Sequence, residues 1–294
     1  MWSHLKLILQ TGSVKIYMLF AGLISLWLTF KILGPDARGI LIVTLTWVRL
    51  ASGIAHLSFG QTILHHASEV KDNSWLPTTI GSTLQVCVGM TIIVWLILGG
   101  LSLFNHDAIF GENIPQWFFL TTLIIVPFLI WDFYGLSLLS GIDRLQVANK
   151  AGFISQTISL VLLPLMFIFN ILGAFLASLI GRAINAIYVI RTLIKELPEK
   201  VTFQQTHTKK LLANALKLHP AVLCGILVTY SDILMVSHFL GTTQAGFYQM
   251  GAQLVLAMLM LPQTATMVLF TLTSKKGAVD SWPECRNIIM IISG

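Results

Sequence analysis

Apolar residues run along this chain in long unbroken stretches, and short polar segments separate them. Eight stretches have the length of a membrane-crossing helix: about 14–33, 40–64, 79–104, 116–140, 150–170, 172–194, 218–240 and 246–272. A ninth starts near Ile288 and runs to Gly294. About 20 mostly apolar residues in helical form reach across the hydrocarbon layer of a bilayer. Membrane strands alternate in polarity over about ten residues, whereas these runs are continuous, so the pattern predicts helices.

The polar segments carry the orientation. With the N-terminus inside, the cytoplasmic ends and loops hold Lys6, Lys15, Lys71, Arg144, Lys150, Arg191, Lys195, Lys200, Lys209, Lys210, Lys217, Lys275, Lys276 and Arg286. The external turns hold Lys31 and Arg38, and Arg49 and Arg182 fall within spans. Basic residues collect on the cytoplasmic side of membrane proteins, so this bias predicts a cytoplasmic N-terminus. The longest polar stretch, Glu196–His219, includes THTKKLLANALKLHP. Leu211, Leu212, Ala215 and Leu216 can share one helical face there, with Lys210 and Lys217 on another. That pattern fits a short helix lying at the cytoplasmic interface, or a solvated connector.

One motif occurs twice. LGPDARG, with Leu33, Gly34 and Gly39, is echoed by LGTTQAG, with Leu240, Gly241 and Gly246, 207 residues later. Each copy sits in an external turn between two spans, where glycine permits positive φ and tight helix entry. Six spans precede the second copy, so the predicted unit is a six-helix lobe repeated in parallel. The expected domains are a six-helix lobe over 1–196, a linker over 197–217 and an incomplete lobe over 218–294. A full second lobe needs four more helices, so the sequence reads as C-terminally truncated.

Composition agrees with the membrane reading. Charged residues are 10% of the chain, against about 25% in a soluble domain. The net charge of +6 is spread over loops; it reads as topology and not as a nucleic-acid footprint. Cys87, Cys224 and Cys285 are odd in number and share no metal-ligand spacing, so neither disulfides nor a zinc site are expected. The N-terminus lacks the cleavage site of a removed signal peptide. No GxxxxGK[ST], HExxH or GxSxG occurs. The expectation is a protein with no catalytic residues, no cofactor and no metal.

Ionisable residues inside spans are the candidates for function, because each costs about 2.5–3.5 kcal/mol at mid-helix unless it meets water or a partner. They are Arg49, Asp132, Arg182 and Asp232. Arg49 belongs to a helical stripe with Thr46, Gly53 and His56. Arg182 shares a face with Ser178 and Asn185, beside a ridge of Gly173, Ala177 and Gly181 suited to close packing. A guanidinium holds phosphate oxygens bidentately, so Arg49 and Arg182 are candidate substrate ligands. The competing reading for Arg182 is a structural ion pair with Asp132. Asp232 and Asp132 are candidates for binding a coupling proton or sodium ion, or for pairing with an arginine. Gln249 and Gln253 share a face and either touch sugar hydroxyls or bond between helices. His56 and His238 read as packed helix residues, and Trp75, Trp117 and Trp282 as interfacial.

The hairpin LTFKILGPDARGILIV and the segment SDILMVSHFLGTTQAGFYQMGAQL at 231–254 resemble the Wzx-like O-antigen and polysaccharide flippase family of the multidrug/oligosaccharidyl-lipid/polysaccharide (MOP) superfamily. The likeness extends through span order, loop lengths and linker over essentially the whole chain. It implies an all-α MOP/MATE-like transporter fold of two six-helix lobes around a central cavity. It also implies a lipid-linked oligosaccharide as substrate, membrane lipids and a polysaccharide polymerase as partners, and a bacterial inner membrane as location. A drug or cation antiporter of the same superfamily and a membrane enzyme of polysaccharide assembly are the rival readings.

Overall fold

The computed structural model describes the backbone of residues 2–70, 73–255, 282 and 286, and the side chains among them from residue 12 onward. Residues 1–248 form one compact unit and 249–294 a second. The expected ninth span, most of the eighth, and Lys71, Lys275, Lys276 and Cys285 lie outside the described residues.

The first unit contains no strand among its described residues. Its helices are α1 (Trp2–Ala55), α2 (Phe59–Glu69), α3 (Leu76–Phe110), α4 (Gln116–Thr122), α5 (Val126–Gly141), α6 (Leu145–Leu162), α7 (Met166–Phe169), α8 (Ile171–Glu196) and α9 (Gln205–Leu240). Short 3-10 turns join α4 to α5 and α6 to α7, so each of those pairs makes one crossing. Helix resumes over residues 242–255. Six helical segments of the described chain are long and apolar enough to cross a membrane. The protein is an all-α, multi-pass integral membrane protein.

The first of those segments, Gly12–Glu69, spans 58 residues, or about 87 Å of helix, nearly three times the hydrocarbon thickness. It makes two crossings. Gly34 breaks it at φ 75° and ψ 173°, and Pro35 follows. Tyr17 then bonds Thr157 at 2.7 Å, Met18 touches Gly152, and Gly60 lies against Ser137. Residues 137 and 152 flank the short connection between α5 and α6, so both ends of the hairpin stand on that side. Seven crossings therefore precede residue 241, in the positions expected from the apolar pattern.

The structure corrects four details. The second span, expected to be continuous over 40–64, is interrupted between α1 and α2, where Leu57 and Ser58 take φ values of 51° and 56°. Arg38, placed in an external turn, sits on helix and is only 9% exposed; Pro35 starts that helix three residues earlier, drawing the polar-looking turn into the packed interior. Trp75, expected at the interface, is buried against Gly141 and edge-on to His66. The linker is not a separate surface helix either. Its 205–217 segment is the first part of α9, 36 residues long, about 54 Å, so its first turns extend beyond the hydrocarbon layer. Those turns dock on α3: Thr208 donates to Gln85 at 2.8 Å, and Leu211 and Ala215 are buried. Leu216, on the same apolar stripe, stays half exposed.

Packing follows the rule for helices in lipid, where small residues let backbones approach. Gly173, Ala177 and Gly181 of α8 are buried; a methyl group on Gly181 would strike Ser159 and the Ser155 carbonyl of α6. Large aromatic side chains, Phe118, Phe119, Tyr134 and Phe175, fill the centre of the bundle. Phe104, Phe167 and Ile168 are exposed on its outside, as a lipid-facing surface requires.

Candidate functional site

The polar stripe on the second crossing lies along α9. Gly39 faces the backbone of Thr242, Gly53 faces Ile226, and Ser58 bonds His219. The residue numbers rise on one helix as they fall on the other, so the second half of α1 and α9 run antiparallel in contact over their length. Arg49 stands midway on this seam, where Tyr230 of α9 is its neighbour. Small residues on α1 permit the approach. A Cβ on Gly53 would sit 3.1 Å from Ile226, tighter than ordinary contact.

The second arginine reaches the same region from α8. Arg182 Nη1 is 2.5 Å from Asp132 Oδ2, and Asn185 donates to Asp132 Oδ1 at 2.7 Å. Both oxygens of the α5 carboxylate are thus engaged by two residues one turn apart on α8. The pair is only partly covered, with 28% of the Arg182 side chain and 24% of Asp132 exposed. Donors on both oxygens favour the charged form of the carboxylate, which then offsets one guanidinium.

Arg49 and Arg182 are electrostatic neighbours and repel each other, and Arg49 likewise repels Arg38. Among the described residues no carboxylate forms an ion pair with Arg49. The cluster therefore holds more guanidinium than carboxylate charge around Arg49. Such an excess inside an apolar bundle favours a bound anion, because a phosphate oxygen pair matches the planar fork of arginine.

The other candidates make bonds of their own. Asp232, two residues beyond Tyr230 on α9, accepts the Tyr248 hydroxyl at 2.9 Å and the Ile233 amide at 2.7 Å. Gln249 donates to Gln253 at 2.6 Å, within the second unit. His56 and His219 meet through Ser58, whereas His238 lies at the other end of α9 against Phe239. Near that end is a cavity of about 640 Å³ lined by Trp47, Asp107, Glu112, Ser237 and His238. No group of three or more His, Cys, Asp or Glu among the described residues is arranged to hold a metal ion. Cys87 and Cys224 are free thiols, the first buried and the second exposed.

Sequence reasoning passed over Arg38, Tyr230, Ser58 and His219. Arg38 looked like turn polarity, and the other three gain meaning only from the helix they face. The 207-residue period carried a signal for the contact between α1 and the turn after α9, since its glycines, Gly39 and Gly246, lie against each other.

No curated protein and no solved structure matches the chain. The profile of one family, described as polysaccharide biosynthesis protein, matches residues 5–275. That match takes in every crossing described above, the paired arginines and both copies of the repeated turn. The chain belongs to the polysaccharide biosynthesis protein family, the Wzx-like flippases of the MOP superfamily, and serves polysaccharide assembly or transport.

Proposed function

We propose that the protein is a transporter, not an enzyme, and flips an oligosaccharide linked to undecaprenyl pyrophosphate across the bacterial inner membrane. The carrying observation is Arg49, set beside Arg182 with no carboxylate of its own among the described residues. Two cations that repel each other in an apolar bundle are stabilised when an anion enters between them, and a pyrophosphate spreads its charge over several oxygens. Arg182 is held in place by Asp132, whose other oxygen accepts from Asn185. In the proposed mechanism Arg49 is the mobile ligand and Arg182 the fixed one.

Lysine and arginine bias supports an N-terminus in the cytoplasm, which puts LGPDARG at the outer face. The proposed division is a lobe over 1–196, a linker over 197–217 and a second lobe from 218. Rocking of the lobes about their seam would then expose the arginines to one leaflet or the other. A proton or sodium gradient is the proposed driving force, and a polysaccharide polymerase the proposed consumer of the flipped unit.

Arg49→Gln tests the reading, since it removes the charge without leaving a carboxylate behind. The expected result is loss of surface polysaccharide, and of undecaprenyl pyrophosphate binding by the purified protein, at normal protein level. Arg49→Lys should retain part of the binding, because it keeps the charge and loses the fork. Normal export and binding in the Gln variant would overturn the proposal.

A further inference from the structure

The seam between α1 and α9 ends, away from LGPDARG, in two histidines and a strained backbone. His56 and His219 are 7% and 9% exposed, and their ring centres stand 6.3 Å apart. Ser58 joins them. Its backbone N–H donates to His56 Nδ1 at 2.9 Å, and its hydroxyl pairs with His219 Nδ1 at 3.1 Å. Ser58 and Leu57 are also the two left-handed residues that interrupt the second crossing. Neither is glycine, asparagine or aspartate, so the conformation is strained and needs outside support. That support is visible: the two Ser58 bonds, and the Tyr134 hydroxyl donating to the His56 carbonyl at 3.1 Å.

The two imidazoles differ in what an added proton does. Ser58 N–H points at His56 Nδ1, so that nitrogen carries a lone pair and the neutral ring keeps its hydrogen on Nε2. A proton on Nδ1 would set two donors face to face and break the bond that braces the turn. His219 is forgiving. The Ser58 hydroxyl can donate to Nδ1 or rotate and accept from it, so this ring takes a proton without losing its partner.

Other groups do not mask the effect. Phe133 of α5 covers His56 edge-on, with ring centres 4.2 Å apart. Tyr134 of α5 touches the carbonyl, and Cys87 of α3 lies behind Tyr134. Among the described residues, His219 of α9 is the charge-bearing group that acts on His56 through space.

We propose that His56, Ser58 and His219 form a proton-binding site, in which a proton taken up at His56 releases the interruption between α1 and α2, while one taken up at His219 leaves its Ser58 bond in place. The proton comes from the aqueous side and leaves to it, with no bond to carbon made or broken. Release loosens the α1–α9 seam at this end, opposite the contact of the two LG-x4-G turns. The inference goes beyond the cargo reading and stands without it.

The test is backbone hydrogen–deuterium exchange over residues 55–60 of the purified protein in lipid nanodiscs, corrected for the intrinsic pH dependence of exchange. Between about pH 8 and about pH 4.5, protection in the wild type should fall about tenfold. His56→Gln should abolish the fall, because the Gln amide oxygen still accepts the Ser58 N–H and does not titrate. His238→Gln should leave the fall intact. Protection that is flat in the wild type, or falls equally in His56→Gln, overturns the proposal. Nitrogen NMR of histidine-labelled wild type gives a reading independent of any folding defect in the variants. One ring should carry its hydrogen on Nε2 at high pH and become doubly protonated over the range where protection falls, and rings that all stay neutral there also overturn it. Neither readout involves cargo, so a failed export assay and a failed proton site are told apart.

Discussion

Thr243 donates its hydroxyl to Asp36 at 2.6 Å, and the two residues are separated by 207 positions, the period of the repeated turn. The surrounding geometry repeats as well. Gly34 and Gly241 adopt nearly the same backbone conformation, φ 75° and ψ 173° against φ 88° and ψ 165°. Gly246 packs on Gly39, again 207 residues away. The two turns therefore pack on each other at matching positions and close this end of the seam.

Cross-linking this contact should fix the closed end. In a background without Cys87, Cys224 and Cys285, Asp36→Cys with Thr243→Cys is expected to form a disulfide under mild oxidation. A protease site inserted in the 197–204 connection gives the readout, since linked halves then migrate together on a gel until reductant is added. Transport should stop on oxidation and return on reduction. Efficient transport by the oxidised double variant would show that this end need not open.

The glycine contact gives a second prediction. A Cβ on Gly39 would run into the Thr242 carbonyl, and backbone does not move aside as a flexible side chain does. Gly39→Ala should lower stability by about 1–3 kcal/mol, as overpacking does. It should also slow formation of the Asp36–Thr243 cross-link by holding the turns apart. Gly12→Ala, where nothing lies within 4 Å of the new methyl group, should change neither. Thermal unfolding in detergent and the rate of disulfide formation check both.

Sequence pattern made the crossings legible because lipid imposes a strict rule: every backbone polar group must be paired internally, so long apolar runs are helices. The charged candidates were legible for a related reason. Asp132 and Arg182 are too costly to leave alone in hydrocarbon, and the ion pair weighed from sequence is the one observed. The interruption at Leu57–Ser58 was not legible, because neither residue is a glycine or proline and its supports come from Tyr134 and His219, on other helices. Arg38 was misread because LGPDARG has the composition of an exposed turn, while the residues after Pro35 are helical and Gly39 beside it packs on Thr242. The neighbourhood of Arg49 and Tyr230 likewise depends on which helices face each other, which span order leaves open.

The Asp132–Arg182 pair should prove a positioning contact whose loss depends on which partner goes. Asp132→Leu strands a guanidinium beside Arg49 and is expected to cost about 2–4 kcal/mol, below the range of a fully buried pair because about a quarter of each side chain is exposed. Asp132→Leu with Arg182→Met removes both charges and should recover most of that stability. The double variant should still fail to bind undecaprenyl pyrophosphate, because one of the two proposed ligands is gone. Thermal unfolding and lipid binding separate the two effects.

The docking of α9 on α3 should weaken in acid, and His207 is the reason. It stands in the first turns of α9, outside the hydrocarbon layer, with Nε2 3.4 Å from the Thr79 hydroxyl and its ring centre 5.2 Å from that of His66. Burial lowers its pKa below the ordinary value, and His66 and Lys210 lower it further. The undocked segment has the ordinary value of about 6.5. Above that value both states are neutral and the docking free energy is fully present. As pH falls below it, the undocked form takes the proton first, so stability is lost progressively until the lower docked value is passed. Limited proteolysis of the 197–204 connection should therefore speed up between about pH 7.5 and about pH 5, relative to a soluble reference substrate cut by the same protease. His207→Gln should flatten that dependence. His66→Gln should reduce it by removing one repulsive neighbour. An unchanged pH dependence in His207→Gln would assign the acid sensitivity to another group.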